Sequence, residues 1–228
     1  MVVERAMLYG TPSIGVFALA TDEYVILPED VPSKFISLIK EVLRPKVVIQ
    51  CNIHGARIVG VLAAGNSKGL LLSPTITSDE LRRIMEELGG IVNIEVLPSK
   101  FTAVGNLILT NDRAALVYSK FDRRVLRVIE DVLDVEVMRG SIAGIDVVGS
   151  AAAVTNKGLM LHPEASAEEI RELSKFFKVD TADVGTVNRG KPFIRAGLIV
   201  NSKGALAGSE TTGPELVHIE QIFGLVGV

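Results

Sequence analysis

The stretch that decides the fold is residues 60–69, GVLAAGNSKG, in which a glycine opens a small aliphatic run that ends in a polar turn. Asparagine and glycine accept the positive φ angles of a tight hairpin, so the stretch predicts a β-hairpin. The pattern occurs five times in the chain. The opening glycines are Gly15, Gly60, Gly105 and Gly149, with Arg195 at this position in the fifth copy and Gly197 two residues later. The turns end at Tyr24, Gly69, Ala114, Gly158 and Gly204.

Each predicted hairpin is followed by an apolar pattern with the period of a helix. One apolar stripe per helix suits packing against a sheet. The stripes are Phe35/Leu38/Ile39/Val42, Leu81/Ile84/Met85/Leu88, Val125/Val128/Ile129/Val132, Ile170/Leu173/Phe177 and Leu216/Ile219/Phe223. Three helix starts have the capping-box signature of a hydroxyl followed by glutamate three residues later: Thr77/Glu80, Ser166/Glu169 and Thr212/Glu215.

Short β-rich segments follow the first four helices, at residues 47–50, 93–96, 135–138 and 179–184. Because little chain remains after the fifth helix, we expect residues 2–8 to supply the missing strand and to close a ring without exposed sheet edges. An open solenoid is disfavoured because neither terminal unit has a polar cap. We predict an α/β fold and one domain, 1–228, with helices outside a pseudo-fivefold axis. Its units 1 to 5 span residues 10–53, 54–99, 100–142, 143–187, and 188–228 plus 1–9.

The composition excludes several classes of protein. Hydrophobic residues make up 48% of the 228 residues and the net charge is −3, which excludes a disordered chain and a general nucleic-acid coat, although a local basic patch is allowed. The longest uncharged stretch, residues 6–21, contains glycines and a proline, and the N-terminus lacks the order of a signal peptide. We therefore expect a cytoplasmic protein that does not enter membranes.

Few residues offer catalytic chemistry. Cys51 and His54 suggest a thiol nucleophile with its base, but Cys51 ends an apolar strand, where cysteine is commonly a buried hydrophobe. His162 and Glu164 fall where a hairpin ends and a helix begins, which favours a structural role. No histidines have the spacing of metal ligands, and no phosphate loop is present. The sequence predicts neither a catalytic residue nor a metal or cofactor site.

Candidate binding residues come from comparison of the units. The residue after each opening glycine is Val16, Val61, Asn106 or Ser150. In a ring these positions are neighbours at one end of the axis. A polar side chain there indicates either a buried hydrogen bond or an exposed rim that a partner contacts.

Two further features are candidate contacts. Arg57 precedes the apolar run of unit 2 and would add a bidentate donor for phosphate or carboxylate near the rim. The loop 185–191 breaks the repeat and carries Asn188 and Arg189 between glycines. It is either an ordinary solvated loop or a contact site.

Three motifs carry a family resemblance that covers essentially the whole chain: residues 105–112 (GNLILTND), 185–190 (GTVNRG) and 211–216 (TTGPEL). They resemble the translation initiation factor 6 family of ribosome anti-association factors. The end of the chain soon after the fifth helix resembles the archaeal form.

The resemblance implies a pentein fold without catalysis or cofactors. It also implies binding to the large (50S) ribosomal subunit on the face that meets the small (30S) subunit, and extends to large-subunit maturation. The expected partners are a large-subunit protein and rRNA near the sarcin–ricin loop, with no membrane or DNA, for a monomeric factor. We expect Asn106 to lead the binding face, with Arg57, Ser150, Asn188 and Arg189 as further contacts.

Two other classes remain open from the sequence. The pentein fold also houses guanidino-group hydrolases and amidinotransferases, which need a nucleophilic cysteine near the chain end. The final unit here has no cysteine, and Cys51 lies in unit 1. The other alternative is an interaction module that binds a different basic protein.

Overall fold

Five three-stranded sheets, each accompanied by one long helix, make up the computed structural model, which describes residues 2–225. Met1 and residues 226–228 of the predicted domain lie outside the described residues. The α/β class and the fivefold repetition predicted from the sequence are confirmed.

Each sheet joins an antiparallel hairpin to one outer parallel strand. In unit 1, Leu19–Ala20 pairs with Tyr24–Leu27, which pairs in parallel with Val47–Gln50. The sheets of units 2 to 4 are Ala63–Gly65/Gly69–Leu72/Asn93–Val96, Ile108–Thr110/Ala114–Tyr118/Glu136–Gly140 and Ala153–Val154/Gly158–Leu161/Thr181–Val184.

The fifth sheet takes its outer strand from the other end of the chain. Leu198–Val200 pairs with Ala205–Gly208, and Val3–Ala6 pairs in parallel with Ala205–Gly208. The prediction that the N-terminal segment completes unit 5 is therefore confirmed.

The long helices contain the predicted apolar stripes, except that the last helix ends at Ile222, one residue before Phe223. They are Ser33–Leu43, Ser78–Leu88, Arg123–Leu133, Ala167–Phe177 and Gly213–Ile222. All three capping boxes form: the hydroxyls of Thr77, Ser166 and Thr212 accept from the amide of the glutamate three residues later, whose carboxylate returns to the cap.

The helices pack across the boundaries between units. Ile84 and Leu88 of the unit 2 helix share an apolar cluster with Ile49 of unit 1. In the same way Phe35 of the unit 1 helix packs with Ile199 and Leu206 of unit 5. Each unit thus shares its core with the preceding one, and unit 1 shares its core with unit 5.

The sequence analysis assigned each aliphatic run to a hairpin strand, and this was wrong for the first residues of each run. These residues form single helical turns before the strands: Ile14–Phe17, Val59–Leu62, Val104–Leu107, Val148–Ala151 and Ile194–Gly197, here called the axial turns. The glycines explain this arrangement. A Cβ on Gly60 would overlap the carbonyl oxygen of Gly15, and one on Gly105 would overlap that of Gly60, so the turns pack backbone against backbone.

Buried asparagines link the hairpin turns of neighbouring units. The Asn66 amide donates to the carbonyls of Asn111 (3.0 Å) and Leu133 (2.9 Å) of unit 3, while its Oδ1 accepts from amides of its own turn. In the same manner, the side-chain amide of Asn111 donates to two backbone carbonyls of unit 4, and that of Asn201 donates to two backbone carbonyls of unit 1. Units 1 and 4 have Thr21 and Thr155 at this position.

Candidate functional site

The axial turns surround an open cavity of ≈ 280 Å³, here called the upper chamber. Val16, Val61, Asn106 and Ser150 all line it, as the ring argument predicted. The remaining lining residues are Gly15, Gly60, Val147, Phe193, Arg195 and Ala196. The chamber wall is therefore largely apolar and carries a few polar side chains.

Asn106 and Ser150 are the neutral polar side chains of this wall. Their backbone amides bond within their own helical turns, to Ala103 and Val147, each at 3.0 Å. Their side chains are half-buried, and among the described residues neither has a protein hydrogen-bond partner. An amide and a hydroxyl are thus available to a ligand or to a partner protein.

Arg57 is not one of the residues that line the chamber. Its guanidinium pairs with the carboxylate of Asp30 and stands 4.8 Å from the ring centroid of Tyr9, whose hydroxyl donates to Asp30 at 2.7 Å. Hydrogen bonds from Tyr9 and Arg57 hold the pKa of Asp30 below its usual value. The sequence identified Arg57 but missed this cluster, because its members come from distant parts of the chain.

Asn188 is placed differently from the expectation. Only 4% of the residue is exposed. Its Nδ2 donates to the carbonyl of Pro12 at 3.0 Å, and Thr211 donates to its Oδ1 at 3.3 Å. The sequence analysis expected Asn188 to be available to a partner, and this is corrected: its side-chain amide joins unit 5 to the N-terminal segment. Its role in binding stays a prediction.

The loop around Arg189 is held by a carboxylate. The amides of Arg189 and Gly190 donate to Glu215 at 3.2 and 2.9 Å, and Thr186 donates to it at 2.8 Å. The same device recurs where Glu80 accepts from His54 and Gly55 and where Glu169 accepts from Ala143. Arg189 is consequently presented from a fixed backbone with its side chain exposed.

These carboxylates predict acid sensitivity. Burial alone would raise the pKa of Glu215, but the surrounding hydrogen bonds outweigh it and lower the pKa to about 2. Because the pKa is lower in the folded protein than in the unfolded chain, the ionised carboxylate stabilises the fold fully at pH values above 4.5, the unfolded pKa. This contribution is lost as the pH falls toward 2, the folded pKa. We expect Glu215→Gln to lower the free energy of unfolding at pH 7 by about 1–2 kcal/mol. This value allows for screening of the carboxylate charge by solvent.

Urea unfolding of Glu215→Gln and the parent chain at pH 7, 4 and 2.5 measures this difference. The gap between the two proteins should narrow steadily as pH falls. A gap independent of pH would show that the carboxylate charge contributes nothing. Glutamine retains the length of the capping side chain, so the comparison isolates the effect of the carboxylate charge.

A basic cluster that the sequence interpretation did not single out surrounds the start of the unit 3 helix. Its members are exposed, and the ion pairs among the described residues include none of them. They are Lys100, Lys120, Arg123, Arg124, Arg127 and Arg139. Lys100 stands 5.3 Å from the ring centroid of Phe101, and Arg139 donates to the carbonyl of Phe121 at 3.3 Å.

The helix start makes this cluster unusual among the units. Acidic residues occupy the first turn of the helices of units 2, 4 and 5, where they complement the helix dipole. The unit 1 helix has no acidic residue in its first turn and a single lysine, Lys34. The unit 3 helix begins with two arginines, Arg123 and Arg124. Comparing the first helical turns across the repeats is the signal that could have found the cluster from sequence.

Cys51 is placed as a structural residue. It is buried, and burial raises the pKa of its thiol to about 11. Its Sγ lies 3.2 Å from the carbonyl oxygen of Asn52, and His54 is exposed. A thiol protonated at neutral pH is not an activated nucleophile, so the geometry does not favour the alternative of a cysteine enzyme.

Two further features are absent from residues 2–225. No group of three or more histidine, cysteine, aspartate or glutamate side chains is arranged to hold a metal ion. None of the helices in this range combines the length and apolar character needed to cross a membrane.

The geometry defines an α/β repeat protein with a candidate binding surface at the end of the axial turns. The eIF-6 family model matches residues 3–222, and the chain belongs to the eIF-6 family. It is 46% identical to translation initiation factor 6 of Pyrococcus abyssi, over 99% of this chain and all of that protein. Identity is 45% to the Pyrococcus horikoshii factor (99% and 100% covered) and 43% to that of Methanocaldococcus jannaschii (97% and 98%). The resemblance seen in the sequence is confirmed.

Proposed function

We propose that this protein binds the large ribosomal subunit on its intersubunit face and sterically prevents association with the small subunit. The observation that carries the proposal is the family match over residues 3–222, together with archaeal relatives named translation initiation factor 6 over nearly their whole length. An occupied face cannot join a second subunit, so the action needs no catalysis. A role in large-subunit maturation belongs to the same proposal.

The scaffold for this function is, in our proposal, a closed pentein ring formed by one domain. Cyclic contacts support it. The axial glycines approach the carbonyls of the preceding unit, and Gly15 of unit 1 approaches the carbonyls of Arg195 and Leu198 in unit 5. A closed ring fixes the axial end as a rigid surface, which reduces the ordering cost of binding.

The binding surface in this proposal is the end that carries the upper chamber. Asn106 and Ser150 offer polar groups in the chamber wall. The exposed Arg57, which stands over the half-buried Tyr9 ring, and the exposed Arg189 are the further contacts in this proposal. Arginine and tyrosine are favoured at the centres of protein interfaces. The net charge of −3 suits a basic ribosomal protein as the main partner. The basic cluster of unit 3 suits rRNA phosphates. We propose that the rRNA it contacts lies near the sarcin–ricin loop, the location that the family resemblance implies.

The same proposal describes a monomeric cytoplasmic factor that uses no cofactor and contacts neither membrane nor DNA. Co-sedimentation of the purified protein with separated archaeal subunits, followed by a subunit-joining assay, tests it. We expect co-migration with the large subunit alone and loss of joined ribosomes. Failure to bind either subunit would overturn the proposal.

Asn106→Ala tests the surface. We expect affinity for the large subunit to fall about tenfold, or ~1.4 kcal/mol, because the change removes an unpartnered polar group from the centre of the surface. The control is Asn93→Ala, at an exposed asparagine that starts an outer strand at the hairpin-turn end. Equal affinities for both variants would place the interface elsewhere.

A further inference from the structure

Arg195 occupies the position at which the other four units have glycine. Its side chain lines the upper chamber and also a smaller chamber of ≈ 40 Å³ deeper along the axis. The smaller chamber is bordered by the inner strands, including Leu19, Leu109 and Ile199. Arg195 therefore stands where the two chambers meet.

The guanidinium of Arg195 has no anionic partner in the described part of the chain. Arg195 is the one charged residue among those that line the two chambers. Partial removal from water lowers its pKa to about 10. The group is still a cation at neutral pH.

A cation in this position needs an acceptor. Guanidinium has five N–H donors and no acceptor atom. The half-buried Arg195 lines two cavities whose walls are largely apolar, so few of its donors have a protein acceptor nearby among the described residues. The side chains of Asn106 and Ser150 share the wall of the upper chamber and are also unpartnered among the described residues. Three groups able to donate hydrogen bonds therefore line one chamber that contains no carboxylate.

We propose that the upper chamber binds a small oxyanion of the phosphate type. The guanidinium of Arg195 donates to two oxygens of the anion, and the Asn106 amide and the Ser150 hydroxyl donate to the other oxygens. Guanidinium matches phosphate geometry in a bidentate manner, which an ammonium group does not. The proposal goes beyond ribosome binding, and its test uses no ribosome, so the two stand or fall separately.

The test measures thermal unfolding and isothermal titration with inorganic phosphate, against chloride at matched ionic strength. We expect the parent chain to show a rise in melting temperature that saturates with phosphate. Arg195→Met should lose this saturable rise and at least tenfold in affinity. Parallel, unsaturated rises in both proteins would show a general salt effect and overturn the proposal.

Asn106→Asp keeps the test decisive if Arg195→Met does not fold. It places a carboxylate in the chamber as an internal partner for Arg195. We expect it to unfold at a higher temperature than the parent in phosphate-free buffer and to show no saturable response to phosphate. A response equal to that of the parent would overturn the proposal.

Discussion

Gly105→Ala is expected to lower the free energy of unfolding by about 3 kcal/mol, the upper end for overpacking in a protein interior. A Cβ at this position would overlap the carbonyl oxygen of Gly60 and lie 2.6 Å from that of Ala63. Both obstacles are backbone atoms of the neighbouring unit, so no side-chain rotation relieves the contact. The strain would separate units 2 and 3 at the axis.

Chemical unfolding followed by circular dichroism measures the change, with Gly213→Ala as the matched control. Gly213 begins the unit 5 helix, and a Cβ there would meet nothing within 4 Å. Pro214 follows directly and mildly disfavours a Cβ on a helical residue before it, so we expect this control to lose well under the 3 kcal/mol of Gly105→Ala. If both substitutions had the same small effect, close packing of the axial turns would not be what holds the units together.

The repeat explains how much of the fold the sequence could predict. Hairpin turns, helical stripes and capping boxes are local signals, so each occurs in several copies that agree in phase. The axial turns were missed because four aliphatic residues have no period that distinguishes a helical turn from a strand. The need for glycine at positions 60 and 105 comes from the carbonyl oxygens of the preceding unit, which lie against these residues in the structure.

The candidate site was predicted in part for the same reason. Asn106 and Ser150 follow the repeat register, so their shared chamber could be expected. The burial of Asn188 depends on Pro12, which lies at the opposite end of the chain. The position of Arg195 could be read from the alignment of units, but not the lack of an anion around it. A repeat pattern cannot predict long-range contacts that occur in one unit only.

The boundaries between units are not equivalent. Asn66, Asn111 and Asn201 each cross to the next unit, and in unit 1 the hydroxyl of Tyr24 crosses to the carbonyl of Gly69 at 2.9 Å. Thr155 of unit 4 uses its hydroxyl within its own turn, accepting from Lys157 and Gly158. The boundary between units 4 and 5 therefore lacks this link, and it is also where Arg195 replaces an axial glycine.

Asn201→Thr should remove one such link and leave the turn intact. Threonine serves the turn in units 1 and 4, but it cannot donate to the carbonyls of Thr21 and Leu43 across the boundary. Two buried carbonyls lose their donor, so we expect a loss of about 2 kcal/mol in the free energy of unfolding. The loss measures how much this hydrogen-bonded link contributes to the contact between units 5 and 1.

Thr155→Asn is the reciprocal change. Gly69 and Gly204 lie against the carbonyls of Val132 and Val42, and Gly158 lies against that of Ile222 in the same way. The new amide should therefore reach the carbonyls of Asn201 and Phe223 and stabilise the fold by about 1 kcal/mol. Urea unfolding of both variants and their combination tests the pair. A destabilised Thr155→Asn would mean that the boundary at Arg195 is too wide for the link, and that the missing asparagine follows from the arginine.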